Sequence, residues 1–367
     1  MSYDRLMAIR PFRDRRPRLL APSRILRPPP RQTGGGRERE DLVADAGKVI
    51  AGGSKSLAFA SRLLDGPTRE QAWMLYAWCR RCRELATGHG PGGRPDGTRD
   101  AAHRIDAIRV LTRRALDDQP TADPAFDGFG QVAKEARLTE QMAEDVLEGF
   151  ALDAAGWRPR SEEDLLRYCY HTAGAPALMM TRIMGLPDND EEVLDRTFDF
   201  AVALQLADIA REVWTDDTED RCYLPIEWLV AADLPPGEHL KPPYRGKLVT
   251  LVERLLEISA RHEAAARFGA ARLRFRQRWA VLAAANLYGA MAREVRTLGK
   301  EAWYHRIRPS AMARVALAAS AFREALRTPE QPAEWPRHTR GDVLLAVRMA
   351  GPVAPIPMTP LPDGEEP

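Results

Sequence analysis

Nine residues in the middle of the chain, Asp208-Ile-Ala-Arg-Glu-Val-Trp-Thr-Asp216, carry three carboxylates at intervals of four. On a helix, positions i, i+4 and i+8 drift by only about 80° around the axis, so Asp208, Glu212 and Asp216 form a column on one face. Like charges stacked in this way repel by a few tenths of a kcal/mol per pair. A cation relieves that repulsion, and carboxylate oxygens that leave room for water and phosphate suit Mg²⁺. Arg211 lies beside the column and Arg221 just after it. Carboxylates for magnesium framed by guanidinium groups are one way to hold a diphosphate. The competing reading is a solvated acidic helix face. Against it stand the flanks, since residues 198–207 are mostly apolar and Arg221-Cys-Tyr-Leu-Pro225 follows. Carboxylates inside a buried helix are costly unless paired or metal-bound.

Four further stretches carry chemistry. Ser54-Lys55-Ser56-Leu57 precedes an apolar segment and offers two hydroxyls and an ammonium as a phosphate clasp. Tyr76-Ala-Trp-Cys-Arg-Arg-Cys-Arg83 ends in three arginines, at 80, 81 and 83. Leu147-Glu-Gly-Phe-Ala-Leu-Asp153 sets two carboxylates and a glycine on one helix. Tyr168-Cys-Tyr-His171-Thr-Ala-Gly174 is a segment of small residues that another helix or a long ligand could approach closely. Cys79 and Cys82 form a C-x-x-C with no second Cys/His pair nearby, and read as core thiols rather than zinc ligands. His171 reads equally as a hydrogen-bonded core residue or a catalytic base, and Met179–Met180 as packing.

The 367 residues suffice for a large core. A net charge of +2 gives no sign of a nucleic-acid partner. Residues 1–40 hold eleven Arg against four acidic side chains, with Pro28-Pro-Pro and Gly34-Gly-Gly, and read as a disordered Arg/Pro-rich leader. No apolar run reaches the length of a membrane span and no secretory signal opens the chain, which leaves peripheral contact with a membrane open. Four cysteines in a chain this size make no disulfide framework, so the expectation is a reduced, cytoplasmic protein.

The elements that must position these groups are helical throughout. Apolar residues recur at three and four from Asp41 onward, and the periodicity predicts helices over 67–86, 100–117, 124–136, 138–155, 161–185, 190–215, 244–267, 270–298 and 309–326. Strand-like alternation is almost absent. The expected organisation is an all-α domain over 41–327, followed by a Pro-rich, mostly disordered tail over 328–367 with a short helix near 342–349.

Taken together and in this order, these motifs resemble the squalene/phytoene synthase family. The likeness runs over about 42–326 through S-K-S, Y-A-W-C-R, L-E-G-F-x-x-D, Y-C-Y-H-x-A-G, Q-L-x-x-I-A-R and R-C-Y-L-P. It implies an isoprenoid-synthase helical bundle whose central cavity takes prenyl diphosphates through Mg²⁺. By the resemblance, Asp208, Glu212 and Asp216 fall on the second acidic motif and would be the metal ligands, and Arg221 falls on a position that contacts diphosphate. Ser54, Lys55, Ser56, Tyr76, Arg80, Arg211, Tyr288 and Arg306 fall on positions that contact diphosphate. Gln205, Tyr168 and His171 fall on the cavity wall.

One departure matters. Where the family has D-D-x-x-D after Y-A-W-C-R-x-C, this chain reads Arg83-Glu84-Leu85-Ala86-Thr87. Both outer carboxylates are lost, and Arg83 can hold phosphate but cannot bind Mg²⁺. Glu84, one position on, points about 100° away. From this loss the expected activity is a prenyltransferase that ionises one allylic diphosphate and passes the prenyl group to an aromatic acceptor of carbazole or indole type in secondary metabolism. Tyr76, Tyr168 and Trp214 would steady the cation. The alternatives are head-to-head joining of two prenyl diphosphates, as in phytoene or squalene synthesis, and a non-catalytic helical scaffold. Oligomeric state is not legible in the sequence.

Overall fold

In a computed structural model of the chain, residues 37–88, 99–235, 237–304 and 307–351 are described. These residues are helical, without a strand among them. In chain order the helices are α1 Arg39–Gly53, α2 Lys55–Ser61, α3 Gly66–Thr87, α4 Arg99–Leu116, α5 Pro124–Ala136, α6 Glu140–Ala154, α7 Glu162–Cys169, α8 Ala175–Ile183, α9 Glu191–Thr218, α10 Ile226–Ala231, α11 Arg245–Gly269, α12 Phe275–Leu298, α13 Ala311–Ala325 and α14 Arg340–Ala350.

Their starts follow from capping. The side chains of Asp65, Asp123, Thr139, Ser161, Asp190 and Ser310 each accept a backbone N–H in the first turn of the helix they precede, satisfying donors that a helix end leaves unpaired. Pro67 and Pro124 stand in first turns, where a missing N–H costs nothing. The periodicity over 161–185 predicts one helix, and here the structure differs. A π-helical turn, Tyr170–Gly174, joins α7 to α8. Pro176 has no N–H for an ordinary i−4 bond, and the wider turn lies one residue before the start of α8.

Two large cores lie side by side. One surrounds α9 and contains Phe198, Val202, Leu206, Ile209, Ala210 and Val213, packed against Leu248, Leu255 and Met291 of α11 and α12. The other surrounds α3, where Trp78 stacks on Phe129 with ring centroids 4.0 Å apart. Because α9 is buried on most of its circumference, its remaining face is the one that carries the carboxylates. Cys79, Cys82, Cys169 and Cys222 are free thiols, and burial pushes the Cys79 thiol up to about 12.

Both ends of the expected domain need correction. Arg39, assigned to the leader by composition, is buried, and its guanidinium donates to Glu135 and to Glu70 at 2.7 Å. Two carboxylates make an arginine a core residue, which a count of arginines cannot reveal. At the other end, residues 340–350 are not a loose tail. Thr339 and Asp342 form a reciprocal capping box, Val343 is fully buried in the α9 core, and Arg340 pairs with Asp195 at 2.9 Å and with Glu191. Residues 1–36 and 352–367 of the expected leader and tail lie outside the described residues.

Candidate functional site

The face that α9 leaves unburied brings Asp208, Glu212 and Asp216 into one column, as their spacing requires. Arg211 bridges the first two: its Nη2 donates to Oδ1 of Asp208 at 2.7 Å and to Oε1 of Glu212 at 2.6 Å. All three acids keep some accessible surface yet are crowded by protein. Burial raises the Asp208 carboxyl to about 6, against the pull of Arg211 and with a further push from Glu212. Burial, and then Glu212, raise Asp216 to about 7 while Arg83 and Arg221 oppose. Burial therefore disfavours the charged forms of Asp208 and Asp216, which a bound cation would favour.

At the C-terminal end of α9 a second group joins them. Oδ1 of Asp153, from α6, accepts the hydroxyl of Tyr168 at 3.0 Å and that of Tyr223 at 2.8 Å, and the two phenol rings stack with centroids 4.6 Å apart. Burial raises the Asp153 carboxyl although Arg221 and both hydroxyls favour its charged form. Arg83 feels the same neighbourhood. Its side chain keeps an exposed surface, and Asp153, Tyr168, Glu212 and Tyr223 raise its pKa against the desolvation of the surrounding protein. The arginine that stands in the first acidic motif thus supplies positive charge beside the second. Glu84 turns to the other side of α3, where it accepts from Nε of Arg80 at 2.9 Å and lies 3.7 Å from Arg81. A cavity of about 440 Å³ between α1, α3 and α5 opens on that side, away from the carboxylate column.

The remaining predicted residues divide. Tyr288 of α12 lies against Asp208 and Arg211; burial, and then Asp208, hold its phenol well above the ordinary range. Tyr76 neighbours both Tyr288 and Arg80. The loop entering α2 closes on this pair, so that a Cβ at Gly53 would stand 2.2 Å from Nη1 of Arg80 and 2.4 Å from the Tyr76 hydroxyl. Ser54 caps α2 by accepting from Leu57 N–H at 3.3 Å, Lys55 is exposed, and Ser56 is half-buried. Gln205 precedes Asp208 by three positions and is half-buried. Trp214 is largely exposed. His171 does not join the cluster. It is buried, donates from Nδ1 to the Asp145 carbonyl at 2.8 Å, and packs against Gly149, while burial lowers its pKa. The bond to the Asp145 carbonyl fixes the orientation of the ring. Arg306 lies outside the described residues.

Asp153 and Tyr223 were not expected here. Both sit within the quoted motifs L-E-G-F-x-x-D and R-C-Y-L-P, yet they stand 70 positions apart, and no local spacing signals their contact. Among the described residues, no three acidic, His or Cys side chains lie close enough to hold a metal ion unaided. The donor set still fits Mg²⁺ as a partner of diphosphate: the column offers hard oxygens, and the cation ordinarily takes one or two carboxylates and completes its shell with water and phosphate.

Helices surrounding a partly accessible column of carboxylates and arginines define an all-α synthase of the isoprenoid type. The sequence profile described as Squalene/phytoene synthase matches residues 50–317, and the chain belongs to that family. It is 37% identical over 304 residues to a phytoene synthase of Pseudescherichia vulneris, covering 81% of this chain and 98% of that one. A 15-cis-phytoene synthase of Paracoccus sp. is 37% identical over 278 residues, or 76% and 90% of the two chains. Among solved structures, a dehydrosqualene synthase in complex with ligand superposes with a TM-score of 0.68 at 20% identity, over 77% of this chain and 96% of that one. The squalene synthase HpnC from Alicyclobacillus acidocaldarius gives 0.61 at 17% identity, over 71% and 95%. These two show the fold. The chain is a prenyltransferase-type enzyme.

The expectation of an aromatic acceptor is overturned by this finding. Relatives named phytoene synthase match almost end to end, and the lost carboxylates at 83 and 87 had carried the whole weight of the other reading. A cation at 83 is compatible with holding diphosphate beside Asp153, Glu212 and Asp216, so the loss does not require a different acceptor.

Proposed function

We propose that the protein joins two prenyl diphosphates head to head to make a C40 hydrocarbon of the phytoene type. The observation that carries this is the 37% identity to a phytoene synthase across 98% of that relative's length. The overall change balances without a reductant: two C20 diphosphates give one C40 hydrocarbon, two pyrophosphates and two protons. A cyclopropyl diphosphate lies between the two ionisations, and each ionisation needs positive charge against the departing pyrophosphate.

Asp208, Glu212 and Asp216 are the residues that would hold Mg²⁺, and the ion would supply charge neutralisation for the diphosphates. Arg211, at hydrogen-bonding distance from Asp208 and Glu212, is positioned to bridge carboxylate and phosphate. Arg83 and Arg221, both near Asp153 and its neighbours, would take pyrophosphate oxygens directly. Lys55 and Ser56 at the start of α2, with Tyr76 and Arg80 beneath it, would close over the second diphosphate. The paired rings of Tyr168 and Tyr223 offer π-faces to an allylic cation.

The test is incubation of the purified chain with Mg²⁺ and geranylgeranyl diphosphate, with products read by mass spectrometry. A C40 hydrocarbon that disappears in Asp208→Ala and in Asp216→Ala supports the reading. Release of the C20 alcohol alone, or no turnover, contradicts it.

A further inference from the structure

Helix α13 buries Ala318, Ala321 and Ala325 against α12, against Phe59 of α2 and against Leu63 in the turn that follows α2. Its outer side is a stripe with no cover among the described residues. Met312 is 83% exposed, Val315 59% and Leu326 67%, with Ala319 and Phe322 exposed between them. The intervals 312, 315, 319, 322 and 326 are those of a single helix face. Phe275, at the start of α12, meets Phe322 edge-on with centroids 5.4 Å apart and widens the patch. A continuous apolar surface of this kind marks an interaction site rather than scattered exposure.

Its rim is basic. Arg274, Arg323 and Arg327 are exposed beside the patch, whereas Glu324 turns inward to the guanidinium of Arg267 at 2.7 Å. Residues 270–327 contain twelve Lys and Arg against three acidic side chains, in a chain whose net charge is only +2. No helix of the described residues is long and apolar enough to cross a membrane.

We infer that the outer face of α13, with Phe275, docks the chain on an anionic lipid bilayer. An apolar helix face bordered by arginines matches acyl chains below and anionic headgroups at the rim. The choice of a bilayer over a protein partner rests in part on the proposed reaction, because a C40 hydrocarbon has no polar group and needs an apolar phase to enter. The inner side of α13 packs on α2, whose first turn carries Lys55 and Ser56, so the docked face lies directly behind the helix that closes the diphosphate end of the site.

The experiment is co-sedimentation of the full chain with vesicles of phosphatidylglycerol or phosphatidylcholine, at low and high salt. The expected result is binding to the anionic vesicles, weakened about tenfold or more in Met312→Glu/Val315→Glu/Leu326→Glu and separately in Arg323→Glu/Arg327→Glu. Thermal unfolding and turnover of detergent-dispersed substrate should stay as in the wild type. The arginine pair keeps the test decisive if the apolar triple variant fails to fold. Equal sedimentation of wild type and both variants overturns the inference. So does a wild-type chain that ignores anionic vesicles, or a wild-type dimer that the triple variant splits without any vesicle binding, which would make a second copy the occupant. Vesicle binding needs no catalysis, so its failure is separate from failure of the proposed reaction.

Discussion

The hydroxyl of Tyr168 donates to Oδ1 of Asp153 across 3.0 Å, tying α7 to the end of α6. Tyr223 shares the same oxygen at 2.8 Å. The bonds favour the charged form of a carboxylate that burial disfavours, and that carboxylate stabilises the guanidinium charges of Arg83 and Arg221. Tyr168→Phe should cost about 1–3 kcal/mol in urea unfolding, as for other hydrogen bonds to charged groups. Asp153→Asn should cost a similar amount and should weaken pyrophosphate binding more than Tyr168→Phe does. An Asp153→Asn protein with unchanged pyrophosphate affinity would remove Asp153 from the site.

Asp208 and Asp216 predict a pH dependence. Their folded values of about 6 and about 7 lie above the ordinary carboxylate value of about 4. The folded chain therefore holds these protons more tightly than the unfolded one. Their contribution to stability is complete below about pH 4 and is lost as pH rises through about 6 and about 7. The Tm of the ligand-free protein should fall across this window, and Asp216→Asn should flatten its upper part. Added Mg²⁺ with pyrophosphate should raise Tm more at about pH 8 than at about pH 5.

Arg83→Asp would return a carboxylate to the first acidic motif and set it beside Asp153, Glu212 and Asp216. Without Mg²⁺ the variant should melt below the wild type, since like charges are brought together where burial already disfavours them. Mg²⁺ should recover more of the loss than it adds to the wild type. Equal response of both proteins to Mg²⁺ in thermal unfolding would place Arg83 away from the carboxylate column.

Gly53→Ala tests the flap. The new Cβ meets the ends of Arg80 and Tyr76 rather than backbone, so those side chains can yield and the fold should hold. Their displacement should show as a raised KM for prenyl diphosphate, with Tm within about 1 °C of wild type. A large loss of Tm with unchanged KM would mean that the glycine serves packing alone.

Much of this site is legible along the chain because helical spacing is local information. The column at 208, 212 and 216 needs only the 3.6-residue period, and the turn of Glu84 away from Arg83 follows from one 100° step. What could not be read involves partners distant in sequence. Asp153 meets Tyr223 only through the packing of α6 on the segment after α9. Arg39 becomes a core residue because Glu70 and Glu135 converge on it. Helix α14 belongs to the body because Val343 finds the α9 core, although the surrounding prolines suggest a tail. The charge change at 83 and 87 was legible too, but its consequence was overdrawn, since spacing alone does not reveal that Arg83 stands beside the second motif.

The central claim is that two prenyl diphosphates are consumed for each product. The most direct measurement is the ratio of pyrophosphate released to C40 hydrocarbon formed, with geranylgeranyl diphosphate as sole donor and Mg²⁺ present. Two pyrophosphates per C40 molecule, with no prenyl alcohol accumulating, is the predicted result. Pyrophosphate released in step with C20 alcohol, and no C40 product, would contradict it.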